Sequence, residues 1–132
     1  EEIKKKLREI KDSISIIKEN LPSNFDDFAG LGLIKDGIYK KIEFAIENVI
    51  DICNILNTDL SLGVPADEED IINNLEANKI FSGKLIKRVR NMKSFRNVLV
   101  HRYGKIDDEL AFDTLKNNLS DFNLFEKEIL KI

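Results

Sequence analysis

A chain of 132 residues, 42% hydrophobic and 34% charged, is long enough to bury one core and too short to divide comfortably into two, so residues 1–132 read as a single domain. No stretch approaches the roughly 18 consecutive apolar residues of a membrane span, and the opening Glu1-Glu2-Ile3-Lys4-Lys5-Lys6 lacks the apolar core of a secretion signal, so no membrane association is expected. One cysteine, Cys53, cannot form an internal disulfide, and a reducing cytoplasm is the expected setting.

The elements follow from apolar spacing. Ile3, Leu7, Ile10, Ile14, Ile17 and Leu21 alternate steps of four and three, one stripe of an amphipathic helix, and Pro22 ends it. A connection holding Phe25, Phe28, Gly30, Gly32 and Gly37 leads to a second long helix carrying Ile38, Ile42, Ala45, Val49, Ile52 and Leu56. Gly63 and Pro65 mark a loop, and Asp67 is placed to cap a shorter helix with Ile71, Ile72 and Leu75. Ser82 caps a further helix expected to run to about Tyr103, with Gly104 as a left-handed C-cap. Asp107 then caps one closing helix holding Leu110, Ala111, Leu115, Leu119, Phe122, Phe125 and Ile129. The sum is an all-α fold, an up-and-down four-helix bundle with an additional short helix. Residues 95–103, rich in β-branched side chains, also admit a strand, but a lone strand among helices has nothing to pair with.

Charge is unevenly distributed. Residues 81–105 hold eight basic side chains and no acidic one, and the other 107 residues carry 13 basic against 24 acidic groups. Two readings are open: a local electropositive surface for a polyanion, or pairing with acids elsewhere in the fold, such as Asp67-Glu68-Glu69-Asp70. On a helix this segment places Leu85, Val89, Met92 and Leu99 on an apolar stripe with Phe95 at its edge. Lys87, Arg90, Ser94, Asn97 and His101 line roughly the opposite face. Arg96 falls within the apolar stripe, where a guanidinium is costly unless it is paired or opens onto a polar cleft.

Other motifs carry little. Gly30-Leu31-Gly32 has neither a preceding strand nor the spacing of a dinucleotide fingerprint, and Asn118-Leu119-Ser120 is a sequon inside a helix. One His, one Cys and scattered carboxylates give no metal-ligand spacing, so no metal or other cofactor is expected. Taken singly, the remaining residues have ordinary explanations: a surface histidine, an arginine in a buried ion pair, a tyrosine with a wet hydroxyl.

The run Arg96-Asn97-x-x-x-His101-x-Tyr103, however, resembles the Arg-x4-His-x-Tyr motif of HepT proteins, a branch of the HEPN superfamily. Ile46-Glu47-Asn48-Val49-Ile50-Asp51-Ile52 resembles that family's second long helix and residues 112–132 its closing helix; the similarity weakens before about residue 30 and over residues 58–66. The resemblance implies a homodimeric ribonuclease toxin, paired with a minimal nucleotidyltransferase antitoxin. It implies that Arg96 and His101 are the catalytic pair, that Asn97 lies in the same site, and that Tyr103 is the residue modified with AMP. Lys87, Arg90, Ser94 and Arg102 are then the candidate RNA-binding groups. A catalytically silent partner of a nucleotidyltransferase and a plain structural bundle are the competing readings. Arg96 and His101 are five residues apart, about 140° around a regular helix, so two copies of this helix facing each other across a twofold axis would gather both residues into one cleft.

Overall fold

The computed structural model describes residues 1–132, except for the side chain of Tyr103. Its α-helices are α1 (Glu2–Asn20), α2 (Phe25–Ala29), α3 (Leu33–Asp59), α4 (Glu68–Ala77), α5 (Gly83–His101), α6 (Asp108–Asn118) and α7 (Asp121–Ile129), with a 3-10 turn over Tyr103–Lys105. Helix α1 lies along α3; α3 also takes α4 and α5; α5 meets α4 and α7, and α7 returns to α1. No strand occurs among the described residues, and residues 95–101 are helical.

The caps are the ones the side chains dictate. Asp67 accepts from the Asp70 N–H at 2.9 Å, Ser82 from Leu85 at 3.1 Å, and Asp107 from Glu109 and Leu110 at 3.1 Å, each satisfying amides that a helix start leaves without partners. Helix α1 stops at Asn20, two residues before Pro22. Its stripe of Leu7, Ile10, Ile14 and Ile17 is buried against α3, whose Ile42, Ala45, Ile46, Val49, Ile52 and Cys53 are at most 2% exposed.

Four expectations require correction. The segment after Pro22 contains a helix, α2, capped by Asn24, whose side chain accepts from the Asp27 N–H at 2.9 Å. Phe28, the fourth of the five residues of α2, is fully buried, edge-on against Tyr39 and tilted against Phe112 with centroids 5.8 and 5.2 Å away, so aromatic burial fixes a turn that five residues could not hold alone. Helix α3 begins at Leu33, well before Ile38, because Gly32 at φ 63°, ψ −122° turns the chain sharply into it, a conformation for which glycine is suited.

The closing helix is two helices. At Leu119 and Ser120 the backbone dihedrals stay right-handed, but ψ rises to −26° and −17° and i→i+3 bonds replace the regular ladder. Asn117, Asn118, Ser120 and Asp121 crowd weak helix formers into this joint, and Leu115 before it and Phe122 after it are both buried. Gly104 is not a left-handed cap: it lies inside the 3-10 turn, and α5 ends at His101, with Arg102 (φ −130°, ψ 29°) outside it.

Candidate active site

Helix α5 is anchored at its start by Glu128 of α7, which accepts from both the Ser82 N–H and hydroxyl. Its stripe of Leu85, Ile86, Val89, Met92 and Leu99 is buried. Lys87, Ser94, His101 and Arg102 are exposed, so His101 stands at the helix end facing solvent.

Arg96, in the apolar stripe, is only 8% exposed and is paired. Its Nη1 donates to Glu47 of α3 and its Nη2 to Glu68 of α4, while Nε donates to Asn97 Oδ1 at 3.0 Å. Burial opposes the charge on Arg96, but the hydrogen bonds to Glu68 and Glu47 outweigh it and raise the guanidinium above its ordinary pKa. Asn97 is therefore brought to Arg96. His101 is not: among the described residues no hydrogen bond joins it to Arg96 or Asn97.

The same dock takes two more cations of the helix. Arg90 Nε meets Glu69 at 3.1 Å and its Nη2 meets Asn73 and Glu76 at 2.6 and 3.0 Å; Lys93 meets Glu69 at 2.9 Å. Lys93 and then Arg90, by hydrogen bonding, hold the Glu69 carboxyl below the usual range. Of the two sequence readings of the basic segment, pairing describes Arg90, Lys93 and Arg96, whereas Lys87, Arg102 and Lys105 stay exposed. Arg90, expected among RNA-contacting groups, thus has its guanidinium held by α4. The side chain of Tyr103 lies outside the described residues.

Beside the motif, Asp36, Gly37, Tyr39, Lys40, Glu43, Leu99 and Val100 line an open groove of about 500 Å³. The start of α6 is tied to α3 here: Asp108 accepts from the Tyr39 hydroxyl at 2.6 Å and from Lys35 at 2.8 Å. Sequence reasoning missed Glu47 as a site residue. The signal for it was Arg96 itself, since an arginine in an apolar stripe demands a counter-ion, but nothing in the sequence shows which acid supplies it. Among the described residues no group of three His, Cys, Asp or Glu side chains is gathered as a metal centre requires, and no helix is long and apolar enough to cross a membrane. Cys53 is buried, which pushes its thiol up to about 12.

Comparison with known proteins places the fold and the family. The tri-AMPylated HEPN toxin of Shewanella oneidensis, solved in complex with an MNT antitoxin, superposes with a TM-score of 0.90 at 24% identity, over 100% of this chain and 98% of that one, which is a likeness of fold. The mRNA nuclease HepT of Shewanella oneidensis is 26% identical over 92 residues, covering 70% of this chain and 69% of the relative. A relative from Archaeoglobus fulgidus is 29% identical over 80 residues, 61% of this chain and 60% of its own length. The family described as ribonuclease HepT-like matches residues 10–129, and the chain therefore belongs to that family of RNA-cleaving enzymes.

Proposed function

We propose that this chain is a metal-independent endoribonuclease toxin, a single HEPN domain over residues 1–132 arranged as an up-and-down four-helix bundle. On this reading it acts in the cytoplasm as a homodimer, paired with a minimal nucleotidyltransferase antitoxin. The observation that carries the reading is family membership with the whole motif present, Arg96, Asn97, His101 and Tyr103, and with His101 exposed at the end of α5.

The chemistry suits these residue types. A histidine titrates near neutrality and can take the proton from a ribose 2′-OH as that oxygen bonds to phosphorus. The P–O5′ bond breaks, the leaving 5′-oxygen takes a proton from solvent water, a 2′,3′-cyclic phosphate remains, and the histidine returns its proton to water. An arginine stabilises the charge gathering on the phosphate, and Asn97, bonded to Arg96, orients it. DNA lacks the attacking hydroxyl, so RNA is selected. Lys87, Ser94 and Arg102 are the flanking groups for the RNA backbone, while Arg90 stays held by Glu69, Asn73 and Glu76 of α4. AMP on Tyr103 places a bulky anion two residues from His101, opposing RNA by size and by charge.

A second reading, a non-catalytic binding partner of the nucleotidyltransferase, is favoured by one observation: Arg96 is already held by Glu47 and Glu68. One experiment separates them. Purified protein is expected to cleave single-stranded RNA in EDTA, His101→Ala to abolish cleavage, and treatment with the nucleotidyltransferase and ATP to silence the wild type with an AMP mass shift on Tyr103. Equal cleavage by wild type and His101→Ala would remove the enzyme reading.

A further inference from the structure

The two carboxylates on Arg96 come from unlike places. Glu47 is in the interior of α3, beside Ile46 and Val49, which are at most 1% exposed, so its backbone cannot move without moving the core. Glu68 is the first residue of the short helix α4, which follows an exposed connection where Val64 is 98% exposed and Ser61 and Gly63 take positive φ. Two anions on one cation leave the triad with a net charge of −1. That is the wrong sign for a group meant to receive a phosphate. Each guanidinium nitrogen already carries a hydrogen bond and the side chain is only 10% exposed, so the two N–H groups left over are shut in, and a phosphate reaches Arg96 where a carboxylate gives way.

We propose that RNA phosphate replaces Glu68 on Arg96, and that Glu47 remains as the positioning residue that keeps the guanidinium aimed. The exchange rests on the ribonuclease reading above. Exposure does not separate the two, with the Glu68 side chain 39% and the Glu47 side chain 47% exposed; what favours release of Glu68 is its place in the first turn of α4, where the helix dipole suits an anion turned to water and the Asp67 cap stays. Losing Glu47 would leave a buried arginine with Asn97 but no fixed counter-ion once Glu68 has gone. Glu69 and Glu76 meanwhile continue to hold α4 against Arg90 and Lys93, so the exchange needs a side chain to swing and not a helix to leave.

The test uses the full chain with a short fluorescent single-stranded RNA, once unmodified for cleavage and once 2′-O-methylated for binding. Glu68→Gln is expected to tighten binding of the uncleavable RNA by about fivefold, the worth of one partly exposed ion pair, and to lower KM in step. Glu68→Asp keeps the charge at the start of α4 but draws it back from the guanidinium, and is expected to tighten binding too, so the test does not depend on one variant folding. Glu47→Gln is expected to move the other way, lowering kcat/KM by about tenfold or more through misdirection of Arg96, with Glu47→Asp restoring part of it. Glu68 variants that bind no tighter than wild type, or Glu47 and Glu68 variants that shift in the same direction, would overturn the proposal. So would Arg96→Ala binding RNA as tightly as wild type. A protein that shows this pattern of binding yet no His101-dependent cleavage would instead overturn the ribonuclease reading and leave the exchange standing.

Discussion

Asp108 opens α6, where the helix dipole favours an anion, and it receives hydrogen bonds from both Tyr39 and Lys35. Partial burial opposes its charge, but the bonds from Lys35 and Tyr39 outweigh burial and keep the carboxyl below its ordinary 3.8. A carboxyl depressed in the folded state contributes stability that is present above the unfolded value and lost as pH falls through the folded one. Asp108→Asn is therefore expected to lower Tm by a few degrees at pH 7, about 1–2 kcal/mol for a charge-assisted pair, with the gap closing as pH falls below about 4 in thermal melts. A gap that stays constant across that range would assign the loss to shape and not to charge. Tyr39 sits at this junction with its ring against Phe28, so one side chain connects the start of α6 to the aromatic core.

At the level of the helix, what could be read in advance was what is decided within a few residues. Asp67, Ser82 and Asp107 cap the helices they were expected to cap because a side chain three residues or fewer from its amide needs no knowledge of the rest of the fold. Helix α2 was invisible because its reason for existing, Phe112, lies far along the chain. The joint at Leu119–Ser120 was also missed, since the apolar spacing runs unbroken through it and only the backbone hydrogen bonds show the break. The motif face of α5 was legible as a face, Lys87, Ser94 and His101 outward and Leu85, Val89 and Leu99 inward. Of the acids that claim Arg90, Lys93 and Arg96, Glu68 and Glu69 lie in the acidic run offered from the sequence, whereas Glu47 and Glu76 were not legible, because partners 14 to 49 residues away are set by tertiary docking.

For the whole molecule, the separation of Arg96 and His101 around α5 makes one straight helix a poor site by itself. Near the motif Phe44, Val98 and Val100 leave 42%, 39% and 46% of their surface exposed, apolar area suited to a second copy. In a shared site, an Arg96→Ala chain mixed and re-annealed with a His101→Ala chain is expected to recover up to about a quarter of wild-type cleavage, since half of a random mixture is heterodimer with one intact pair of two. Recovery no greater than that of the two variants assayed separately, or sedimentation of the protein as a monomer, would rule the shared cleft out. The contact between Phe28 and Phe112 has a kinetic meaning of its own. It closes a loop of more than eighty residues, and loop-closure entropy is repaid only after the long helices have met, so this clasp is expected to form late in folding. Phe28→Ala should hasten unfolding far more than it slows folding. In hydrogen exchange it should release the amides of α2 and early α6 first, opening the segment around residues 102–108 while α3 stays protected.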